Sequence, residues 1–461
     1  MNITEQISTF AAGLRIEDLP SEVVQRTKLL TLDLAGNILR ARFEAESTPA
    51  MLRGVEALGL GHGNATVLGD AQGYAPAGAA LLNATLAHSL DFDDTHAVAV
   101  VHPGAPVIPA ALAAGQMAGA SGSTVLAGIV AGYEVALRLA LALPAGAHYD
   151  RGFHPSATCG AFGAAAAAAR VFGLDAAATA SALGIALSQS AGSLQFLANG
   201  AWTKRFQVGW SGMAGLAAAQ LAKEGFKGAA EPLEGKHGFL RAYAPEPNPE
   251  RAVQDLGRVY ELMAVGVKPY PSCRWGHAGI DAAIALRAEL DLKPEDIESA
   301  TLGVSRAGML LVGEPAARKA DPRNIVDAQF SGPFVIAVAL ATGQMGWDSY
   351  GLLQDPAVRA LLPRIAVEND PEIEAEFPAN MSGKLTLRAR GGSHVRKVIV
   401  PKGEPSNFLS EAELRGKFGS LARPSLAERS DALADAILRL DQLPGLEDLL
   451  RHARPLSRAA A

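Results

Sequence analysis

The segment from His88 to Gly104 holds the densest group of side chains that could do acid–base chemistry. It reads HSLDFDDTHAVAVVHPG and contains three carboxylates and three imidazoles, whereas only 19% of the whole chain is charged. Such groups cannot be buried without partners, because an unpaired buried charge is destabilising or shifts its pKa until it is neutral. The segment is therefore either a solvated loop between two helices or part of a site whose cations come from elsewhere in the chain.

Three other segments carry residues suited to a site. His154 lies in YDRGFHP, ahead of a predicted helix, and Lys204 and Arg205 lie in GAWTKRFQ, which we expect to connect two helices. Residues Lys268–His277 read KPYPSCRWGH and crowd cationic, aromatic and thiol groups around two prolines. Loops and domain boundaries are common locations for binding pockets, so these segments could contribute to one site.

The residue types predict proton transfer next to a carboxylate. Imidazole titrates near neutral pH, so His102 or His154 could exchange a proton with a carbon or oxygen acid, while Asp91 could fix the tautomer of the ring. Cations would bind substrate carboxylates and stabilise the enediolate-like charge that develops when the α-proton leaves. The residues expected to supply this charge are Lys204, Lys268 and Arg274. This chemistry covers elimination, decarboxylation and epimerisation.

A metal site and a thiol nucleophile are the competing interpretations. His96 and His102 with Asp91 or Asp93 could bind a divalent ion, but the chain has no helical His-x-x-x-His pair and no cysteine pair at ligand spacing. We therefore expect no metal and no cofactor. Cys273 has cationic neighbours that could lower its pKa, yet a structural thiol is the favoured interpretation.

Composition narrows the class of protein. The formal net charge is −6, and no run of Lys or Arg indicates binding to nucleic acid or to an anionic membrane. Two cysteines are too few for a disulfide framework, and residues 1–14 do not resemble a secretory signal, so we expect a cytoplasmic protein. Residues 107–147 are apolar but interrupted by Glu134 and Arg138, which would pair on one face of a buried core helix rather than a membrane span.

The elements that must position these residues are mostly helices. Alanine-rich helical patterns fill residues 74–88, 105–120, 123–143, 157–172, 175–189 and 209–224. Beyond Lys268 the pattern is mixed, with helices at 278–290 and 325–342, a strand at 298–305, and a β-hairpin around residues 390–392. Amphipathic helices return after residue 410. We predict a mainly α protein with an all-helical domain over 1–265, an α+β domain over 266–403, and C-terminal helices over 404–461 that rejoin the helical domain.

Together, these motifs resemble the MmgE/PrpD family. The residues that carry the resemblance are Asn83, the DFDDT run to His102-Pro103, GFHP, Thr203-Lys204-Arg205, KPYPSC, Asp327-Ala-Gln-Phe-Ser331 and Pro401-Lys-Gly403. The resemblance implies a cofactor-independent enzyme with a large helical domain and an inserted α+β lid, an active site between the two domains, and a homodimer.

The resemblance also implies the site residues. Active-site positions of the cis-aconitate decarboxylase branch correspond to Asp91, Thr95, His102, His154, Lys204 and Lys268. Around them we expect the substrate to contact Tyr149, Arg205, Gln207, Cys273, Arg274 and His277. Within this set, Asp91 would orient His102, and Asp93 and Asp94 would be structural.

Three positions depart from the pattern of the family. Gln207 stands where many relatives have a histidine, Phe334 where many bacterial relatives have a tyrosine, and Met309 or a neighbour where the decarboxylase branch has a tyrosine. These losses argue against cis-aconitate decarboxylase and weaken 2-methylcitrate as the substrate, while Tyr149 could supply a replacement acid.

The leading hypothesis is a lyase, a dehydratase, acting on a small di- or tricarboxylate by abstracting the proton α to a carboxylate. The alternatives are an epimerase of the iminodisuccinate type, which needs a base on each face of one carbon, and a non-catalytic carboxylate-binding protein.

Overall fold

A computed structural model describes residues 1–455 and divides the chain into two compact units. The first comprises Met1–Gly266 and the chain from Ser410 onward, and the second comprises Val267–Leu409. The boundaries predicted from composition, 265/266 and 403/404, lie earlier in the chain. The second predicted boundary differs more from the observed one. The Val267 N–H donates to the Gly403 carbonyl at 2.9 Å, and the Gly403 N–H donates to the Asn407 carbonyl at 2.9 Å. These bonds join the residues that follow 403 to the second unit.

The first unit is almost entirely helical. Its helices up to residue 266 are α1 Ile3–Gly13, α2 Ser21–Glu44, α3 Thr48–Ala57, α4 Pro76–Ala87, α5 Gly104–Ala118, α6 Gly122–Leu141, α7 Ala145–Asp150, α8 Pro155–Val171, α9 Ala176–Leu187, α10 Thr203–Lys223 and α11 Phe239–Tyr243. Two short antiparallel pairs interrupt them, formed by β1 Ala65–Thr66 with β2 Gly73–Tyr74, and by β3 Thr95–His96 with β4 Val265–Gly266.

Small side chains allow the central helices of this unit to pack closely. Helix α8 contacts both α6 and α10, and nearly all of its residues are buried. Where α6 and α8 meet, a Cβ atom on Gly132 would lie 2.7 Å from the carbonyl oxygen of Gly163, and one on Gly163 would lie 2.7 Å from that of Gly132. Any larger residue at these two positions would force the helices apart, which explains the alanine and glycine content.

Helix α6 is the one described helix that is long and apolar enough to cross a membrane, but 89% of its apolar window is buried inside the protein. The predicted pair within it is present: Arg138 Nε donates to Glu134 Oε2 at 2.9 Å, and both side chains are buried. This arrangement matches the expected core helix.

The second unit is the predicted α+β module. It contains α12 His277–Glu289, α13 Arg306–Gly308 continued by a π-helical turn Met309–Gly313, α14 Ala316–Lys319, α15 Ile325–Gln329, α16 Gly332–Thr342, α17 Pro356–Leu361 and α18 Pro371–Glu376. Its four-stranded sheet comprises β5 Ile297–Val304, β6 Ile365–Asn369, β7 Gly383–Ala389 and β8 Gly392–Val398, in the order β6-β5-β7-β8. Strands β5 and β6 are parallel, and β7 and β8 form the predicted hairpin.

The single helix predicted over residues 325–342 is wrong, because the chain breaks between α15 and α16. Ser331 stands in the gap, and its side chain accepts a hydrogen bond from the Phe334 N–H at 3.1 Å. Pro333 lies in the first turn of α16, where its missing N–H is tolerated, whereas inside a continuous helix it would clash with the preceding turn.

The chain then returns to the first unit with α19 Glu411–Leu426, α20 Arg429–Leu438 and α21 Glu447–His452. Helix α19 packs along α2, so both ends of the chain build one helical body. The predicted fold class, mainly α with an inserted α+β domain, is confirmed.

Candidate active site

The segment 88–104 connects α4 to α5 and is held in an irregular path. His88 ends α4, Asp91 adopts a left-handed backbone with φ 55°, and Thr95 and His96 form β3. The His102 N–H donates to Ser156 Oγ at 3.0 Å, which ties the end of the segment to the first turn of α8. A left-handed backbone at a residue other than glycine is uncommon and often marks a functional site.

Asp93 is the centre of the site. Its Oδ2 atom lies 2.7 Å from His88 Nδ1 and 3.3 Å from His102 Nδ1; the first contact is a hydrogen bond, and the second is a close approach without hydrogen-bond geometry. Asp93 and His88 are fully buried, whereas 15% of the His102 side chain is exposed. The two imidazole rings meet edge to face, with centroids 4.8 Å apart. One carboxylate therefore faces two imidazoles.

Burial and charge determine the protonation of this group. Burial alone would raise the pKa of Asp93, but the neighbouring imidazoles of His88 and His102 outweigh it and hold the pKa well below its usual range. Burial lowers the pKa of His88 to about 4, although Asp93 opposes the shift. A neutral His88 thus donates its Nδ1 proton to an ionised Asp93.

This geometry corrects the predicted roles of the acids. Asp91 does not orient His102; its Oδ1 instead accepts a hydrogen bond from Lys204 Nζ at 3.0 Å. Asp93, which we expected to be structural, is the carboxylate next to His102 Nδ1. A sequence pattern does not show which of several neighbouring acids faces a ring, because that depends on the backbone turn at Asp91.

Asp94 has the structural role that was expected. Its buried carboxyl accepts hydrogen bonds from Tyr133 Oη at 2.8 Å and from the Gly104 N–H at 3.2 Å, at the start of α5. Burial and the charge of Asp93 raise the pKa of Asp94 to about 8. Asp94 is therefore a neutral acid at neutral pH, and it anchors α5 without adding charge beside Asp93.

A lysine from the C-terminal part of the chain contacts the backbone of segment 88–104. Lys417 on α19 makes a buried ion pair with Asp33 on α2, with 2.6 Å between Nζ and Oδ1. The same Nζ donates to the Phe92 carbonyl at 2.9 Å and lies 3.7 Å from the centroid of the Phe92 ring. Lys417 thus supports the backbone of the segment directly between Asp91 and Asp93.

The ring of His154 lies near the ring of His88. It precedes α8, its N–H donates to the Gly192 carbonyl at 3.0 Å, and its ring centroid lies 5.8 Å from that of His88. Its Nδ1 lies 2.8 Å from Gln207 Nε2, and Gln207 Oε1 accepts from the Ser193 N–H at 3.0 Å. Burial lowers the pKa of His154 well below its usual range, and His88 and Lys204 add to the effect.

Lys204, Arg205 and Gln207 belong to α10, not to a connection between helices. The helix was predicted to begin at residue 209 but begins at Thr203. Lys204 is 30% exposed, and although burial lowers its pKa, the pairing with Asp91 outweighs this and raises it. Arg205 has a different partner from Lys204: its Nη1 donates to Ser47 Oγ at 3.3 Å.

Thr95 belongs to the segment itself, and Tyr149 lies near Lys204. Thr95 Oγ1 is buried without a hydrogen-bond partner among the described residues. Burial raises the pKa of the Tyr149 phenol on α7, and the nearby charge of Lys204 opposes this. His96, considered above as a metal ligand, does not join the group: its Nδ1 accepts from the Ala99 N–H at 3.0 Å, and its Nε2 lies 3.8 Å from Glu261.

The remaining predicted site residues belong to the second unit. Lys268 is buried and follows β4 by two residues. Cys273 is buried beside Trp275 and Val312, Arg274 makes an ion pair with Glu404, and His277 Nε2 lies 3.2 Å from the Ser272 carbonyl. Within this unit, these contacts are of the kind that supports the fold, and the predicted roles in substrate binding stay predictions.

Comparison with known proteins gives the family. The MmgE/PrpD N-terminal domain matches residues 5–252, and the MmgE/PrpD C-terminal domain matches residues 270–442. The chain belongs to the MmgE/PrpD family. The resemblance inferred from the motifs is thereby confirmed.

Curated relatives of this MmgE/PrpD protein match over almost their whole length. The chain is 26% identical over 477 residues to the cis-aconitate decarboxylase-like protein oryM of Aspergillus oryzae, covering 97% of this chain and 96% of the relative. It is 27% identical to the cis-aconitate decarboxylase of Aspergillus terreus, covering 97% and 95%, and 27% identical to that of Homo sapiens, covering 97% and 93%.

One group among the described residues of this MmgE/PrpD chain has the ligand types and spacing to hold a metal ion. His88, Asp93 and His102 present ligand atoms that lie within 4.8 Å of one another. Imidazole and carboxylate are ligands that zinc and related ions accept. However, His88 Nδ1 already bonds to Asp93 Oδ2, so these two atoms are engaged with each other.

No role was predicted for His88 or Lys417, and Asp93 was predicted to be structural. His88 and Asp93 lie within the segment that the composition singled out, so their proximity to the site was foreseeable while their pairing was not. Lys417 lies on an amphipathic helix more than three hundred residues away along the chain, and nothing in its local sequence distinguishes it from a solvated lysine.

Proposed function

We propose that this protein is a lyase, a dehydratase, that uses its own side chains to remove the proton α to a carboxylate and expel a β-hydroxyl group from a small di- or tricarboxylate. The observation that carries the proposal is the shared contact of Asp93 with His88 and His102, in the same group as the Lys204–Asp91 pair. The relatives support a lyase that acts on carboxylates, although their names specify a decarboxylase.

His102 is the proposed base. Its Nδ1 faces Asp93, and the ring is the more exposed of the two that contact this carboxylate, so Nε2 is the nitrogen available to a substrate. An anionic Asp93 stabilises the imidazolium that forms when Nε2 takes a proton, as a carboxylate does in other acid–base pairs. Buried and hydrogen-bonded to the same oxygen, His88 holds Asp93 in position.

Lys204 is the proposed contact for a substrate carboxylate. It stays protonated, is partly exposed, and is held by Asp91 in the first turn of α10. A cation at this position stabilises both the carboxylate and the enediolate-like charge on it after the α-proton has left. By the resemblance, Lys268 would provide a second such contact, and this role stays a prediction.

The proposed reaction moves one proton from the α-carbon and one hydroxyl group from the β-carbon. The α-proton goes to His102 Nε2, and the electron pair of the C–H bond forms the carbon–carbon double bond. The bond from the β-carbon to oxygen breaks, and the departing oxygen takes the phenolic proton of Tyr149 and leaves as water. Lys204 is close enough for its charge to favour the resulting phenolate. The proton on His102 then reaches the Tyr149 phenolate through solvent, which restores both groups for the next turnover.

Decarboxylation is the second candidate, and the names of the relatives favour it. The positions at which this chain departs from the family pattern argue against decarboxylation. Among them, Phe334 is fully buried and stacks on Tyr350 with ring centroids 6.1 Å apart, and Met309 begins the π-helical turn after β5; neither side chain can donate a proton. The homodimer and the cytoplasmic location stay predictions.

One assay separates the candidates. Purified protein is incubated in deuterated buffer with a panel of β-hydroxy and unsaturated di- and tricarboxylates and followed by proton NMR. A dehydratase gives new alkene signals with no loss of carbon, whereas carbon dioxide release would show a decarboxylase instead. Deuterium uptake with racemisation and no alkene would show an epimerase.

Two variants test whether the histidines act in the reaction. His102→Ala and His154→Ala are each expected to abolish turnover while substrate analogues still bind, as measured by calorimetry. If the wild-type protein binds carboxylates but converts none of the panel, the protein is a carboxylate receptor and the proposal is wrong.

A further inference from the structure

We propose that Gln207 holds His154 in the neutral tautomer with its proton on Nε2, so that His154 donates a hydrogen bond to the substrate and does not act as a base. This inference rests on the proposed function for its consequence, but the tautomer itself follows from the hydrogen bonds around Gln207.

The orientation of the Gln207 amide is determined by a backbone group. The Ser193 N–H can only donate, and it lies 3.0 Å from Gln207 Oε1. The atom facing it must therefore be the amide oxygen, because an NH₂ group there would place two donors together. The NH₂ group of Gln207 consequently points to the opposite side, towards His154.

The same logic then assigns the imidazole. The NH₂ group of Gln207 lies 2.8 Å from His154 Nδ1 and can only donate, so Nδ1 must accept and carries no proton. In a neutral imidazole the proton is then on Nε2. A protonated ring would turn Nδ1 into a donor against another donor, and burial near His88 and Lys204 also disfavours that charge.

Packing holds the Gln207 side chain in place, while its two hydrogen bonds decide which way the amide faces. Its side chain is buried on α10, beneath the loop that contains Gly192 and Ser193. Gly192 has φ 154°, and a Cβ atom there would lie 2.6 Å from the Cβ of Ala157 and 3.5 Å from Gln207 Cδ. Glycine therefore allows this loop to lie against the amide, and the His154 N–H donates to the Gly192 carbonyl in the same contact.

The tautomer restricts the chemistry. Epimerisation by two bases needs a base on one face of a carbon and a proton donor on the other, and the two groups exchange roles in the reverse direction. A neutral His154 would have to become an imidazolate to deliver its Nε2 proton, which is unfavourable. Lys204 is kept protonated by its pair with Asp91, so it is a poor base for the reverse direction. A neutral imidazole donor can, however, stabilise the oxygen on which negative charge develops. The site of the first unit thus contains one imidazole base, His102, and one imidazole donor, His154, which suits a lyase better than an epimerase.

The test reads the tautomer directly, by nitrogen NMR of protein labelled with ¹⁵N-histidine, with the signals of residue 154 assigned from a His154→Asn sample. The proposal expects a proton-bearing Nε2 and a bare Nδ1. A proton on Nδ1 would overturn it, whether or not the protein turns over any substrate. If the expected tautomer is found in a protein without activity, the proposed function fails and the tautomer assignment stands.

Gln207→Glu adds a second test. A carboxylate at this position still accepts from Ser193 but also accepts from Nδ1 of His154, so the proton should move to Nδ1. We expect this shift in the NMR signals together with a fall in kcat of about 100-fold or more, the usual effect of losing one oxyanion donor. Gln195→Glu, the same change at an exposed residue, should alter neither. At a pH where the new carboxyl group is ionised, an unchanged tautomer in a folded Gln207→Glu protein would also contradict the proposal.

Discussion

The Oδ2 atom of Asp93 lies 2.7 Å from Nδ1 of His88, within a segment that also brings His102 to 3.3 Å from the same oxygen. One buried carboxylate therefore contacts two imidazole rings and is hydrogen-bonded to the first of them. His88 is hydrogen-bonded to this carboxylate through Nδ1, and its Nε2 has no hydrogen-bond partner among the described residues. The contribution of His88 is therefore to hold Asp93.

Asp93→Asn is expected to lower kcat at least about 100-fold with a smaller effect on KM, because a neutral amide cannot stabilise the His102 imidazolium. Steady-state kinetics on the substrate found in the panel assay measure the effect. Asp91→Asn is the comparison: it weakens the Lys204 pair and should act mainly on KM. Equal kinetic effects of the two changes would mean that Asp93 has no special relation to His102.

Asp94→Asn should change how stability depends on pH. Folding raises the pKa of Asp94 from 3.8 to about 8, so between these values the folded state holds a proton that the unfolded state lacks. This group therefore makes the wild type less stable as pH rises, by about 1.4 kcal/mol per pH unit.

The asparagine variant lacks this pH-dependent contribution. Its free energy of unfolding relative to wild type should therefore increase from about pH 5 to about pH 8 and stay constant at higher pH. Urea unfolding at several pH values measures the difference. Asp431→Asn, at an exposed ion pair with Arg423, serves as the control and should show no such trend. A constant difference between Asp94→Asn and wild type would show that Asp94 is ionised in the folded protein.

Lys417→Met should destabilise the protein by about 3–5 kcal/mol, because it leaves the buried carboxylate of Asp33 without its cation. The double variant Asp33→Asn with Lys417→Met should recover much of this loss. Arg415→Met is a matched control on the same helix: its ion pair with Glu411 is partly exposed and should contribute less than about 1 kcal/mol. Chemical denaturation tests all three, and similar losses for Lys417 and Arg415 would contradict the proposed support of the segment.

Lys204→Met should weaken the binding of a tricarboxylate that lacks the hydroxyl group, such as tricarballylate, by about 10- to 100-fold, the usual range for a hydrogen bond to a charged group. Isothermal titration calorimetry measures this without turnover. Lys223→Met, at the exposed end of the same helix, should bind as the wild type does. Unchanged affinity in Lys204→Met would remove Lys204 from the proposed carboxylate contact.

The helical body and the mixed insert could be predicted from the sequence because both depend on local patterns. Alanine-rich periodicity predicted α4, α5, α6, α8 and α9 to within a few residues, and alternation predicted β5 and the β7–β8 hairpin. The predictions that were wrong concern turns and caps: the break at Ser331 and the start of α10 at Thr203 depend on single hydrogen bonds and on neighbouring helices.

The sequence by itself determined the family, the fold class and the segment in which the acids and imidazoles gather, since residue types at short spacing are enough for these. Only the tertiary structure decided that Asp93 and not Asp91 faces His102, that Lys417 lies behind the segment, and that Gln207 contacts His154. The contact of Asp93 with His102 depends on the backbone turn at Asp91, and the other two relationships join residues far apart in the chain. Side-chain direction depends on these turns and on how the helices pack, which a linear spacing does not contain.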